Sequence, residues 1–333
     1  MALVGTINSS NDFGLKNRII NGAMVINQRY GTAAQTGVSG FVTDRFQVLN
    51  STGTVNAQTV TTAPADFSYS TQLTVGTADG SVGSTDSVIF YQTLEGYTIA
   101  DLNWGTVNAR TVTLSFWVRS SLVGTYSGSL VSQNGTSAFP FNYTISSSNT
   151  WTQITQTITG PTSGSFGTTN DVGFYLEFSL MTGSTYQGTP NAWSAGNWRG
   201  TASQVNWMAT SGNTFNITGI QLEKGSTATT FDYRPYGTEL QLCQRYYEVL
   251  YGDTATVGVW GHAGGEGGGR GNWFWHVAKR AQATVALASG ASWVGNTPQI
   301  FPGIDKAHFY SSGGYFYSNS TAGTPSLTAT AEI

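Results

Sequence analysis

The chain holds few residues able to do chemistry, and their spacing rules out most of it. Its three histidines, His262, His276 and His308, all lie late in the sequence. No HxxH, HExxH or carboxylate-flanked pattern surrounds them, and the single cysteine, Cys243, is too isolated to complete a zinc site. Histidines on the axis of a threefold assembly could hold a metal, but ordinary strand or loop positions explain them more simply. Residues 264–271, GGEGGGRG, have the glycine density of a phosphate loop. They lack a Lys-Ser/Thr pair and no helical pattern follows, so they are not a nucleotide site. A glycosidase needs two carboxylates roughly 5–9 Å apart. Asp79, Asp86, Asp101 and Asp171 fall near turns, while Glu95 and Glu177 lie on or beside strands and leave a pair open. With no solenoid period visible, the expectation is a protein without enzymatic activity. Asp44, Asp171 and Glu223 are conceivable calcium ligands, but no EF-hand-like spacing exists and no calcium site is assigned. Asp44 beside Arg45 reads more simply as a local ion pair. No cofactor is expected.

Aromatic residues offer the other chemistry. Residues 182–207 form a long polar loop carrying Tyr186, Trp193, Trp198 and Trp207 among Gly, Ser and Asn. Trp in such surroundings can serve as a stacking platform, because sugars present C–H faces to rings and hydroxyls to amides. The same rings can instead plug the end of a sandwich or meet another subunit. A second concentration follows in residues 258–275, with Trp260, Trp273, Phe274 and Trp275, and Tyr310 lies further on. Trp260, Trp273, Trp275 and Tyr310 are the first candidates for glycan contact, with Trp193, Trp198 and Trp207 beside them. The competing reading makes these rings the core of an oligomer.

Composition narrows the partners. Of 333 residues only 9% are charged, against roughly 25% in ordinary domains, while aromatics reach 13% and Gly numbers 42. Low charge with many small hydroxyl residues and rings fits strands and turns with neutral surfaces, and the apolar content is too high for disorder. Net charge is −3: residues 1–236 carry nine basic and eleven acidic side chains, and 237–333 carry five and six. Neither part has the electrostatic footprint of a nucleic-acid binder. A lone cysteine makes no internal disulfide and reads as a small buried hydrophobe, which fits assembly in a reducing cytoplasm. The start, MALVGTINSSNDFG, has no basic region or long apolar run, and no stretch approaches a membrane span.

The length favours two domains. Residues 1–16 read as a polar extended arm. From 17 to 236 short strands succeed one another, clearest at 89–91, 111–119, 129–131, 152–158, 173–180 and 214–222. In the 111–119 stretch Val112, Leu114, Phe116 and Val118 alternate on one face, and Phe174, Leu176, Phe178 and Leu180 do so in 173–180. In 215–222 the apolar positions Phe215, Ile217, Ile220 and Leu222 change phase at Gly219, which marks an irregularity. The period then changes from two to 3.6. Leu240, Cys243, Tyr247 and Leu250 share a helical face, so a linking helix is expected over 237–251 with Thr238 as its N-cap. Residues 252–333 read as a small C-terminal β domain, with 308–318 a hairpin turning at Gly313-Gly314. Many strands without intervening helices imply an all-β chain built on a β-sandwich.

Three segments carry a family resemblance. Residues 217–247, ITGIQLEKGSTATTFDYRPYGTELQLCQRYY, resemble the end of the jelly-roll domain in tail-fibre and virion-appendage proteins of tailed bacteriophages. Residues 17–29, NRIINGAMVINQR, followed by Thr43-Asp44-Arg45-Phe46, resemble its opening, and 99–121 its middle strands. The likeness is scattered over about 17–247 and weak beyond Tyr251. It implies a carbohydrate-binding-like jelly roll in a structural protein on the virion surface, in tail or capsid. It also implies a role in host adsorption, and a plugging role for Trp193. A glycan depolymerase is the less favoured reading, because tailspike depolymerases are usually much longer and repeat-built. Low charge and abundant aromatics suit a homotrimer burying neutral surfaces. The arm is the expected attachment to other virion proteins, and a host surface glycan the expected external partner; a dedicated glycan-binding receptor protein is the alternative.

Overall fold

The computed structural model describes residues 16–251, 260–261, 269–312, 316–320 and 325–333. Two antiparallel sheets face each other across one core. The seven-stranded sheet runs in the order β1 (Gly40–Thr43), β2 (Phe46–Asn50), β5 (Ser87–Glu95), β10 (Val172–Thr182), β7 (Gly124–Ser132), β8 (Ser137–Ile145), β11 (Ser194–Ala195). The five-stranded sheet runs β3 (Val55–Val60), β4 (Ser70–Val75), β12 (Thr214–Lys224), β6 (Val112–Ser120), β9 (Thr152–Ile158). This is a jelly-roll β-sandwich. A single helical turn, α1 (Gly96–Ile99), interrupts it after β5.

The alternation in the sequence builds the core directly. Val112, Leu114, Phe116 and Val118 of β6 are fully buried, as are Phe174, Leu176, Phe178 and Leu180 of β10. Phe116 meets Phe178 edge-on across the sheets at 4.9 Å, and Phe46 stacks on Phe90 at 5.0 Å. The change of phase in β12 is a β-bulge. Thr218 pairs with Trp117 and Gln221 with Ser115, so one extra residue lies between them, and Gly219 takes φ +61°. The bulge lets Phe215 and Ile217, then Ile220 and Leu222, all point inward.

The helix is shorter than the period predicts. α2 spans Tyr236–Gln244, and residues 247–251 are strand β13 (Tyr247–Tyr251). The run YYEVLY favours a pleated strand, and it finds a partner in β21 (Pro325–Thr330), with Tyr247 opposite Thr330. Tyr247 and Leu250 therefore do not share a helical face with Cys243. Thr238 does not cap the helix; Pro235 occupies that position without a side-chain bond. Glu239 in the first turn instead accepts the backbone N–H of Asn21 at 2.5 Å and an Arg234 N–H at 3.2 Å.

Beyond the helix the described residues form three three-stranded sheets. One joins β13, β21 and β16 (Thr284–Leu287), and another joins β14 (Trp260–Gly261), β20 (Phe316–Asn319) and β17 (Ser292–Gly295). The third joins β15 (Gly269–Phe274), β19 (Lys306–Ser311) and β18 (Gln299–Pro302). The expected hairpin over 308–318 is not formed: β19 pairs with β15 and β18, while β20 pairs with β14 and β17. Both halves of that segment are central strands and find partners elsewhere. Gly313 and Gly314 lie outside the described residues, as do residues 1–15 of the expected arm and His262. A second core forms here from Trp273, Trp275, Phe309, Phe316, Leu327 and small alanines.

Charged side chains fasten this part to the sandwich. Arg245 pairs with Glu95 at 2.6 Å, whose other oxygen accepts the Tyr246 hydroxyl at 2.5 Å. Arg29 lies 3.6 Å from the Tyr247 ring centre, 3.2 Å from Glu332 and 3.7 Å from Asp44. Asp44 thus pairs with Arg29 and Gln28 rather than with its neighbour Arg45, which pairs with Glu332. Burial pushes the Asp44 carboxyl up to about 6, against the pull of Arg29 and Gln28.

Candidate functional site

The loop between β10 and β12 folds back over the outer face of the seven-stranded sheet. Small residues on that face make room. Ser129 donates to the Trp198 carbonyl at 2.6 Å, Ser179 to the Arg199 carbonyl, and Ser127 to the Gln204 side chain. A Cβ at Gly200 would come 2.8 Å from the Ser127 hydroxyl and 2.7 Å from the Gln204 oxygen, so a side chain there would have to displace these polar groups. β11 then pairs with β8 and carries the loop to the sheet edge, Ser194 opposite Ala138.

Trp193 and Trp198 stand on either side of this short strand. Trp193 donates its indole N–H to the Thr159 carbonyl at 2.8 Å and packs edge-on against Trp104 and Phe166 at 5.5 and 5.7 Å. Its remaining surface lines a groove of about 630 Å³ with Ser137, Thr162, Ser163 and Gly164. Trp198 donates to the Ala195 carbonyl at 2.8 Å and lies against Gly188 and Gly196. It lines a second groove, also about 630 Å³, with Gln187, Thr189, Thr201 and Ser203. Both grooves share Ser194 and Ala195, and among the described residues no charged one lines either groove. Indole surface, hydroxyls and a Gln amide without ions suit a neutral, hydroxyl-rich ligand.

Next to the second groove in sequence, Arg199 reaches Glu177 of β10 at 3.9 Å and lies 5.6 Å from the Tyr186 ring centre. Glu177 is 3% exposed, and its Oε2 has no hydrogen-bond partner. Burial pushes its carboxyl up to about 7, with Arg199 pulling the other way. On the same face Tyr91 and Tyr175 meet edge-on at 6.4 Å. Sequence reasoning weighed Glu177 as an acid but missed its Arg199 partner. The available signal was the row of small outward residues, Ser127, Ser129 and Ser179, which marks a strand face covered by chain.

The other expected site residues are placed differently. Trp207 is fully buried in the sandwich core, its N–H without a partner. Trp273 and Trp275, 4% and 8% exposed, pack edge-on at 4.6 Å inside the second core and present no free ring face for stacking. Tyr310 is half-buried with Arg270 5.9 Å from its ring centre. The Trp260 side chain lies outside the described residues. Glu95 and Glu177 do not form a catalytic pair. Glu177 stands opposite Tyr91, four residues from Glu95 along β5, which separates them by roughly 14 Å. His276 is bonded to Glu248 at 2.6 Å, and His308 is exposed. Asp44, Asp171 and Glu223 are not gathered; Glu223 instead accepts bonds from Thr229 and Gln221. No cluster of three potential metal ligands exists among the described residues.

No protein-family model matches the sequence, and no curated protein does. Solved structures similar to it include the enzymatically active domain of tailspike protein 4 of bacteriophage CBA120, at 16% identity and a TM-score of 0.35. That match covers 63% of this chain but only 21% of the tailspike chain. The chain is also similar to a CBM4 carbohydrate-binding module (13% identity, TM-score 0.32, covering 62% of this chain and 98% of that one). TmCBM61, solved with β-1,4-galactotriose, is a further one (11% identity, TM-score 0.30, covering 63% and 99%).

Proposed function

We propose that this chain is a structural protein of a tailed-bacteriophage virion that holds neutral glycans of the host surface in the two tryptophan grooves. The observation that carries the binding role is the pairing of Trp193 and Trp198, each lining an uncharged groove of about 630 Å³ beside one short strand. The virion role is supported by the sequence resemblance over 17–247, and by a charge content low enough for neutral surfaces to be buried between copies. Neither groove carries a carboxylate, which favours retention of a glycan over its cleavage. The assembled form is a homotrimer, joined to the particle through residues 1–16. Contacts of a single ring are weak, so adsorption relies on several copies acting together.

The test is an array of purified bacterial surface polysaccharides probed with the full chain and with Trp193→Ala and Trp198→Ala. Binding by the wild type that weakens in both variants is expected. Wild-type silence on the array, or unchanged binding by both variants, overturns the glycan role. Sedimentation equilibrium checks the trimer, and immunogold labelling of particles checks the virion role; a monomeric mass or unlabelled particles counts against each in turn.

A further inference from the structure

A third groove lies on the opposite sheet. β6, next to the edge strand β9, turns Trp117 outward from the five-stranded sheet, half-buried, between Thr218 of β12 and Gln153 of β9. Beside it Phe67, Phe231 and Tyr233 form a packed aromatic wall: Phe67 lies 5.1 Å from Phe231, and Phe231 4.8 Å from Tyr233. Gly219, the bulge residue, sits between wall and indole. A Cβ there would come 2.7 Å from Phe67 Cζ and 3.0 Å from Trp117 Cδ1. The groove measures about 440 Å³, within the range of small-molecule sites.

Its polar groups are of the kind that read hydroxyls. The Trp117 indole N–H and the exposed Gln153 amide make no hydrogen bond to the described residues, and the Asp66 side chain stands at the rim with its carboxylate unengaged. The segment at Thr229 that closes one side is held rigid by Glu223, which accepts the Thr229 N–H at 2.9 Å and its hydroxyl at 2.7 Å. Tyr233 is fixed by its hydroxyl donating to the Asp66 carbonyl at 2.7 Å. The walls are thus set before any ligand arrives, which lowers the ordering cost of binding. Among the described residues the groove's one lining charge is the Asp66 anion, and the nearby Lys16 ammonium is taken up by the Thr229 hydroxyl and the Thr230 carbonyl, so uronic acids and phosphorylated sugars are poorly matched.

We propose that this groove is a second, independent glycan site, taking one neutral pyranose with its ring face on Trp117. Two of the sugar's hydroxyls then reach the Gln153 amide and the Asp66 carboxylate. It shares the ligand class of the tryptophan grooves but none of their residues. With sites on both sheets, one chain can be held between two glycan strands instead of lying on one, so detachment requires both contacts to open together.

The experiment follows the Trp117 indole ¹H–¹⁵N resonance while neutral hexaoses of gluco, galacto and manno configuration are added to tens of millimolar. The full chain carrying Trp193→Ala and Trp198→Ala is used, so that failure of the first grooves does not decide the result. A saturable shift with at least one hexaose, weakened several-fold by Gln153→Ala and absent for the matching oligouronate, is expected. Gln153 is exposed, so its variant keeps the fold. A Trp117 resonance that none of the three hexaoses moves, or a shift that Gln153→Ala leaves unchanged, overturns the proposal.

Discussion

The guanidinium of Arg45 closes an ion pair with Glu332, 287 residues away in the chain. Arg45 is 2% exposed and lies 3.5 Å from the Tyr246 ring centre. One carboxylate near the end of the described chain therefore neutralises a cation buried at the sandwich edge, and Glu332 serves Arg29 as well. Removing the acid leaves two buried cations short of a partner. Glu332→Ala should cost about 3–5 kcal/mol in urea unfolding. It should also separate the melting of the two cores, which are expected to unfold together in the wild-type chain.

Glu177 should act in the opposite sense. Its folded pKa, about 7, lies above the ordinary carboxylate value, so folding favours the neutral acid. That contribution is fully present below about pH 4.5 and is lost as the pH rises through about 7. Glu177→Gln keeps the shape without the buried charge, and Arg199 keeps its place over the Tyr186 ring. The variant should be more stable than wild type by about 1–3 kcal/mol at pH 8, with little difference at pH 4. Chemical denaturation at the two values checks it.

Gly219 should tolerate no side chain. Alanine there combines a left-handed backbone with a contact of 2.7 Å to Phe67. Gly219→Ala is expected to lower stability by about 1–3 kcal/mol. The Trp117 indole resonance should move with it, because the added Cβ lies 3.0 Å from its Cδ1.

The two groove tryptophans should separate by readout. Trp193 is wedged among Trp104, Phe139 and Phe166, so Trp193→Ala should lower the melting temperature as well as glycan binding. Trp198 lies on Gly188 and Gly196 and is not among the side chains packed against the sandwich core, so Trp198→Ala should spare the melting temperature. Loss of one stacking ring is expected to weaken binding by about 0.5–1.5 kcal/mol.

Strands with strict alternation, such as β6 and β10, were legible in the sequence because period two has one structural meaning. The change of phase at Gly219 was equally readable as a bulge. The stretch from Gln241 to Tyr251 misled, because Cys243, Tyr247 and Leu250 fit a helical period while YYEVLY has the composition of a strand. A partner some eighty residues on decided it, Thr330 against Tyr247. Trp273 and Trp275 resembled an exposed platform because their glycine-rich surroundings looked open. What covers them, Phe309 and Leu327 among others, comes from distant strands that local reading does not associate. The Glu177–Arg199 contact is invisible in the same way, since nothing in spacing foretells a loop folding back over a sheet.

Both cores are keyed by a late strand. β12, the last strand of the sandwich in sequence, lies at the centre of the five-stranded sheet between β4 and β6, and β21 lies between β13 and β16. During synthesis the flanking strands emerge first and wait, their inner edges unpaired, until the central one leaves the ribosome. The sandwich can be completed only after residue 224, and the sheet built on β13 only after residue 330. A nascent chain arrested between those points carries a finished sandwich and a bare edge at β13, open to pairing with a neighbour's strand. Ribosome-bound intermediates are therefore where this fold is most exposed to swapping between copies.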